Sequence, residues 1–174
     1  MARTPKEIAE SLYSEFEESS TEFQQELHQY RGQFANQPAA KHYVDAALSV
    51  LAAALGSEEE ESLAVAGITP EGRENPQQCE IVVLSAGLLF HTAFAISENK
   101  APVVSAIPRN SIKSLTIKAA APYTQPETPG RFKFTAEYDG GLVLDFPLKG
   151  NHPNSASTLG NALSGLRADL ENKP

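Results

Sequence analysis

The most constraining feature of the sequence is an apolar run at residues 81–96, IVVLSAGLLFHTAFAI, which holds nine large apolar side chains and no charged one. A membrane-spanning helix needs about 20 mostly apolar residues. This run has 16 residues, includes polar side chains such as His91, and lies between Glu80 and Glu98. It is therefore too short and too polar to be a membrane-spanning helix.

The same run divides into two segments at a short turn. Ser85-Ala86-Gly87 supplies the turn, and the residues on both sides are rich in the β-branched and aromatic types that favour strands. In the second segment, one alternating set of side chains shares a face: Leu88, Phe90, Thr92, Phe94 and Ile96. We therefore predict two adjacent strands, with a buried helix as the alternative.

Apolar residues also occur at every second position in the region after residue 130. The turn sequence Asp139-Gly140-Gly141 suits the positive φ angles of a tight hairpin. It separates two sets of alternating apolar residues: Phe132, Phe134, Ala136 and Tyr138 before it, and Leu142, Leu144, Phe146 and Leu148 after it. We predict a β-hairpin here. Further candidates at 63–68, 103–107 and 112–119 bring the expected number of strands to about seven.

The last segment of the chain has helical periodicity. Polar residues at 151–155 can begin a helix, and an apolar face follows at Ala156, Leu159, Ala162, Leu163, Leu166 and Leu170. A terminal helix laid across an open β-sandwich or barrel buries both apolar surfaces. The sequence therefore predicts one core between the hairpin and this helix, formed by Phe132, Phe134, Leu142, Leu144, Phe146, Leu159, Leu163 and Leu166.

The first 56 residues are helical in periodicity. Thr4 and Glu7 have the spacing of a capping box, which predicts a helix start. We predict one helix over 4–34 and a second ending before Gly56, which together form an antiparallel helical hairpin. The acidic run at 57–61 marks a boundary, so we divide the chain into a helical hairpin at 1–56 and a β-domain with a C-terminal helix at 57–174.

The two predicted helices differ in length, which suggests an interaction site. The first, of about 30 residues, would extend about 45 Å, and the second, of about 18 residues, about 27 Å. A short helix cannot cover the whole apolar stripe of a long one. We therefore expect Ile8, Leu12 and Phe16 to be left uncovered by the second helix and to pack on the β-domain, on a second copy of the chain or on another protein. A homodimer is the favoured form, because closed twofold contacts are the commonest.

Four stretches in order resemble the pleckstrin-homology-like (PH-like) superfold, in particular the bacterial PH and GRAM-type domains. They are GSEEEESLAVAG, EIVVLSAGLLFHTAF, AIPRNSIKSLTI and FTAEYDGGLVLDFPL, and the resemblance covers residues 57–171. It implies an α+β fold, with a bent β-barrel or sandwich of about seven strands capped by a C-terminal helix. It also implies a noncatalytic protein-interaction or scaffold module, with a membrane-surface or lipid-binding module as the alternative.

The net negative charge of the chain argues against some classes of ligand. The net charge is −8, and residues 1–80 hold 15 acidic and 5 basic side chains. Nonspecific binding to nucleic acid or to anionic lipid needs a cationic surface, so nucleic acid is not an expected partner. PH-like proteins that bind phosphoinositides carry several Lys and Arg around the first hairpin. The corresponding segment, 69–80, has Arg73 alone among three glutamates.

No spacing of residues predicts catalysis, a cofactor or a metal site. The four histidines lie at positions 28, 42, 91 and 152 without paired-ligand spacing, and the single cysteine excludes a CxxC zinc site. Cys79 has apolar neighbours, which predicts a packing residue rather than a nucleophile. The lone cysteine and the absence of an apolar leader favour a cytoplasmic protein. Because no constellation of nucleophile, base or cofactor ligands is visible, we expect a protein that is not an enzyme.

Overall fold

A computed structural model describes residues 3–19, 43–56, 63–69, 78–95, 102–119, 133–148 and 156–173. Within these ranges the chain forms helices α1 (Pro5–Ser19), α2 (Tyr43–Leu55) and α3 (Ala156–Glu171). Its strands are β1 (Leu63–Thr69), β2 (Gln78–Leu84), β3 (Leu88–Ala95), β4 (Ser105–Pro108), β5 (Ile112–Ala119), β6 (Lys133–Tyr138) and β7 (Val143–Phe146). The α+β class is confirmed. No described helix is long and apolar enough to cross a membrane.

The strands form two antiparallel sheets. The first has the order β1-β2-β3-β4 and the second the order β5-β6-β7. Between them, a 3₁₀ turn at Arg109–Ser111 carries the chain from β4 into β5. No hydrogen-bonded ladder joins the two sheets among the described strands, so these strands do not close into a barrel.

The apolar run 81–96 forms the two predicted adjacent strands. β2 and β3 pair antiparallel, with Val83 opposite Phe90 and Leu84 opposite Leu89. Ser85 closes the turn, because its backbone N–H donates to the Leu88 carbonyl at 2.8 Å. The strand interpretation is confirmed, and the buried-helix alternative is wrong.

Both faces of the β2–β3 pair are buried. On one face Cys79, Ile81, Val83, Phe90 and Phe94 pack with α1 and α2 in a first core. The other face packs in a second core with the second sheet and α3, through Val82, Leu84 and Leu89. A strand covered on both faces needs no polar side, which explains why this run is mostly apolar and carries no charged residue.

The second core matches the predicted one closely. Phe134 and Phe146 stack with their ring centroids 4.8 Å apart. Of the predicted set, Leu142 and Leu163 are partly buried, and Phe132 lies outside the described residues. The fully buried members of the set are Phe134, Leu144, Phe146, Leu159 and Leu166.

The β6–β7 hairpin has the predicted turn. Gly140 and Gly141 have φ angles of +87° and +88°, a region that L-amino acids with a side chain rarely adopt. The Tyr138 N–H donates to the Leu142 carbonyl at 2.9 Å and closes the turn. Ala136 then pairs with Leu144, as the alternation predicted.

Helix α3 is anchored at its C-terminal end. The Lys173 Nζ donates to the Ile112 carbonyl at the start of β5. Leu159, Ala162 and Leu166 face the second core, in agreement with the predicted apolar face. This C-terminal helix therefore covers the second core.

The N-terminal helices pack together and on the first sheet. Helix α1 begins at Pro5, as the capping box predicted, and it is described as far as Ser19. Its predicted continuation to residue 34 and the connection to α2 lie outside the described residues. The hairpin geometry and the division at residues 56 and 57 stay predictions. The buried faces of both helices nevertheless share the first core with β2 and β3.

The predicted exposure of Ile8 and Leu12 is wrong. Both side chains are only 2% exposed. A comparison of helix lengths leaves this end of α1 uncovered only by α2, whereas the first sheet presents an apolar face that packs with it in the same core. The side chain of Phe16 lies outside the described residues.

Candidate interaction site

A groove of about 480 Å³ lies between α1 and α2. Two helices form its walls, and both also pack on the first sheet. Helix α1 contributes five lining residues and α2 two: Pro5, Lys6, Ala9, Glu10 and Tyr13, with Leu48 and Ser49.

The start of α1 is fixed by reciprocal hydrogen bonds. The Thr4 N–H donates to Glu7 Oε2 at 2.6 Å, and the Glu7 N–H donates to Thr4 Oγ1 at 3.3 Å. The hydrogen bond from the Thr4 backbone, together with the one from its hydroxyl, lowers the pKa of Glu7. The capping box thereby sets where the helix begins and which residues of its first turns face the groove.

The lining residues of α1 follow the helical repeat. Pro5, Ala9 and Tyr13 are four residues apart and therefore lie on one strip of the helix. Ile8 and Leu12 lie on the neighbouring strip and are buried in the first core. Ala9 and Tyr13 are partly buried, so this strip contacts the first core on one side and lines the groove on the other.

Within the described part of the chain, the rim of the groove carries one positive and one negative charge. Lys6 Nζ lies 3.7 Å from Glu10 Oε1, and the two side chains are 83% and 66% exposed. Exposed ion pairs of this kind contribute little to stability, so both charges stay available to a ligand. The groove thus combines an apolar floor with a polar rim, as protein-binding surfaces do.

The exposed face of α2 is also largely apolar. This helix, YVDAALSVLAAAL, carries a single charged residue, Asp45. Its inner face is buried, while Ser49, Val50, Ala53 and Ala54 are exposed on the other side. A helix that is apolar around most of its circumference is normally buried by neighbouring elements over most of its surface. The exposed face therefore extends the apolar surface next to the groove.

The predicted interaction residues do not line this groove. Ile8 and Leu12 are buried in the first core, and Phe16 is a residue whose side chain the structure does not describe. Sequence reasoning missed Ala9 and Tyr13, each one position after a stripe residue. The available signal was that a helix packed against two neighbours needs a wider apolar arc than a single stripe.

The described residues hold no group of three His, Cys, Asp or Glu side chains that could bind a metal ion. Burial, and to a lesser extent the charge of Glu80, raise the pKa of the Cys79 thiol to about 12. The thiol is therefore protonated near neutral pH, in keeping with a packing residue. His91 Nε2 lies 3.0 Å from Glu80 Oε1 on the neighbouring strand, a contact that links β2 to β3.

Comparison with protein families, with curated proteins and with solved structures finds no match for the chain.

Proposed function

We propose that this protein is a noncatalytic protein-interaction or scaffold module in which the groove between α1 and α2 receives a partner protein. The observation that carries the proposal is the groove itself, an open volume of about 480 Å³ with an apolar floor and a charged rim. A concave apolar surface with a few polar groups is the usual form of a binding site.

The PH-like architecture is part of this proposal. A four-stranded sheet, a three-stranded sheet and a terminal helix follow one another along the chain, which supports the resemblance over residues 57–171. In that view, the helical hairpin of residues 1–56 is an added layer that carries the binding groove, and the two sheets form a bent sandwich. The cytoplasmic location also belongs to the proposal.

A protein partner suits the groove better than a membrane surface. Adsorption to anionic lipid requires a cluster of basic side chains. Among the residues that the structure describes, Lys6 is the one basic residue of the rim, and Glu10 lies beside it. The segment 69–80, where phosphoinositide-binding relatives of the fold carry basic residues, holds more acidic than basic side chains.

Affinity capture with a groove variant tests the proposal. Ser49→Arg places a long cation in the groove, while Ser164→Arg makes the same change at an exposed position of α3. We expect proteins captured from native lysate by the parent chain and by Ser164→Arg to be lost with Ser49→Arg. Each captured protein is then purified and its affinity measured against all three chains. Equal affinities would show that the groove is not the binding site.

A further inference from the structure

We infer that Arg109 sets the position of α3 on the second core, and that Gly165 is a gap in the helix that receives its guanidinium group. Together with Asp169, these two residues form what we call the register contact. It selects one position of α3 over another that lies one turn away along the helix axis.

Arg109 is held at its backbone and at its guanidinium group. Its backbone N–H donates to the Gly87 carbonyl at 3.0 Å. Its Nε donates to Asp169 Oδ2, and its Nη1 donates to the Ser85 carbonyl. A guanidinium group is planar and rigid, so fixing two of its nitrogens also fixes the third, Nη2. The side chain therefore has little freedom to follow a displaced helix.

Gly165 provides the space for Nη2. A Cβ atom added at this residue would lie 3.2 Å from Arg109 Nη2, closer than an ordinary van der Waals contact. Because Nη2 is fixed, a side chain at position 165 would have to displace the guanidinium group. Asp169 follows four residues later, on the same side of α3. Arg109 thus meets a gap and a carboxylate in a fixed order along the helix.

The apolar face of α3 distinguishes poorly between two positions one turn apart. The helix contributes Leu159, Ala162 and Leu166 to the buried part of the second core. A shift by four residues, about 6 Å, would put Leu163, Leu166 and Leu170 in their places. Leucine then replaces leucine twice, so apolar packing separates the two positions only at Ala162.

The register contact separates the same two positions at both of its places on the helix. After this shift, Asp169 would enter the gap left by Gly165, and Lys173 would take the place of Asp169. A cation would then face Arg109 at a site where both native partners are mostly buried. A shift in the opposite direction would put Asn161 in the gap and remove the carboxylate. Fixing register is the best-attested role of buried polar groups.

A double-mutant cycle tests the contact, with Gly160→Ala as the matched control. An added Cβ at Gly160 meets no described atom within 4 Å. Urea unfolding should therefore show that Gly160→Ala raises the folding equilibrium constant about two- to fivefold, in the parent and in Arg109→Met alike.

The effect of Gly165→Ala should instead change sign with the residue at position 109. In the parent it should lower the folding equilibrium constant about threefold, because alanine displaces the guanidinium group. In Arg109→Met, whose side chain is too short to reach the gap, it should raise the constant about two- to fivefold. An equal gain in both chains would overturn the inference.

Nuclear magnetic resonance reports the register itself. In Arg109→Met/Asp169→Leu no buried charge is left unpaired, so the chain should stay folded, but the register contact is gone. We expect two sets of α3 amide resonances, or one set with the side-chain contacts of Leu166 moved by a turn. Arg167→Met/Glu171→Leu removes an exposed pair of the same spacing from α3 and should keep the single parent set.

The single variant Arg109→Met gives the same readout if the double variant does not fold. One set of resonances with the parent's contacts, in whichever of the two chains folds, would show that apolar packing alone sets the register and would overturn the inference.

Discussion

Arg109 and Asp169 form an ion pair with 2.8 Å between Nε and Oδ2, although they are 60 positions apart in the sequence. The same guanidinium donates from Nη1 to the Ser85 carbonyl at 2.6 Å. One side chain therefore joins the β2–β3 turn, the 3₁₀ turn between the sheets and α3. Both partners are mostly buried, at 16% and 14% exposed.

Replacing Arg109 by Met should destabilise the protein by about 2–4 kcal/mol, because Asp169 would lose its partner and the Ser85 carbonyl its donor. Urea unfolding gives the free energy directly. Arg167→Met, at a position that is 64% exposed, is the matched control and should change stability by less than about 0.5 kcal/mol. Equal effects of the two substitutions would show that the buried pair has no special role.

Removing the ring of Phe134 should cost about 3–5 kcal/mol of unfolding free energy, the usual range for a buried Phe. Its side chain is 1% exposed and stacks on Phe146. Thermal unfolding with Val143→Ala as the control is informative, since Val143 on the adjacent strand is 53% exposed. A Phe134→Ala melting temperature close to that of the control would place the core elsewhere.

Deleting residues 1–56 tests the predicted division of the chain. A β-domain at 57–174 that is independent of the hairpin would fold by itself, but the deletion removes the cover from Ile81, Val83, Phe90 and Phe94. We now expect a fragment that binds a hydrophobic dye and self-associates in size-exclusion chromatography. A monomeric fragment with a cooperative melt would instead support two independent domains.

The buried thiol gives a prediction about pH. The pKa of Cys79 is raised from 9.0 to about 12, so the folded state keeps this proton at pH values where the unfolded state releases it. Stability from this group is complete below pH 9 and is lost as pH rises from 9 towards 12. The fall in unfolding free energy across that window should be smaller in Cys79→Ala. Identical pH profiles would contradict the assigned burial.

Local pattern was enough to predict much of the fold. The break at Ser85–Gly87, the glycine turn after Tyr138 and the apolar face of the last helix each follow from nearby residues. The packing of α1 on the first sheet does not follow from nearby residues in the sequence. Periodicity identifies the apolar face of a helix but not the surface that this face meets, so Ile8 and Leu12 were assigned to solvent instead of the first core. The groove between α1 and α2 depends on the same packing of α1, so local periodicity did not predict it either.

Val82 and Val83 are neighbours in the chain but belong to different cores. Inserting one residue into β2 would exchange the inward and outward sides of every following position in the strand. In a sheet with one solvent-exposed face, such a shift disrupts the packing of one core only. In β2 it would place the wrong side chains in both cores at the same time. The length of β2 is therefore constrained from both sides, and tolerance of insertions should fall sharply between Cys79 and Leu84.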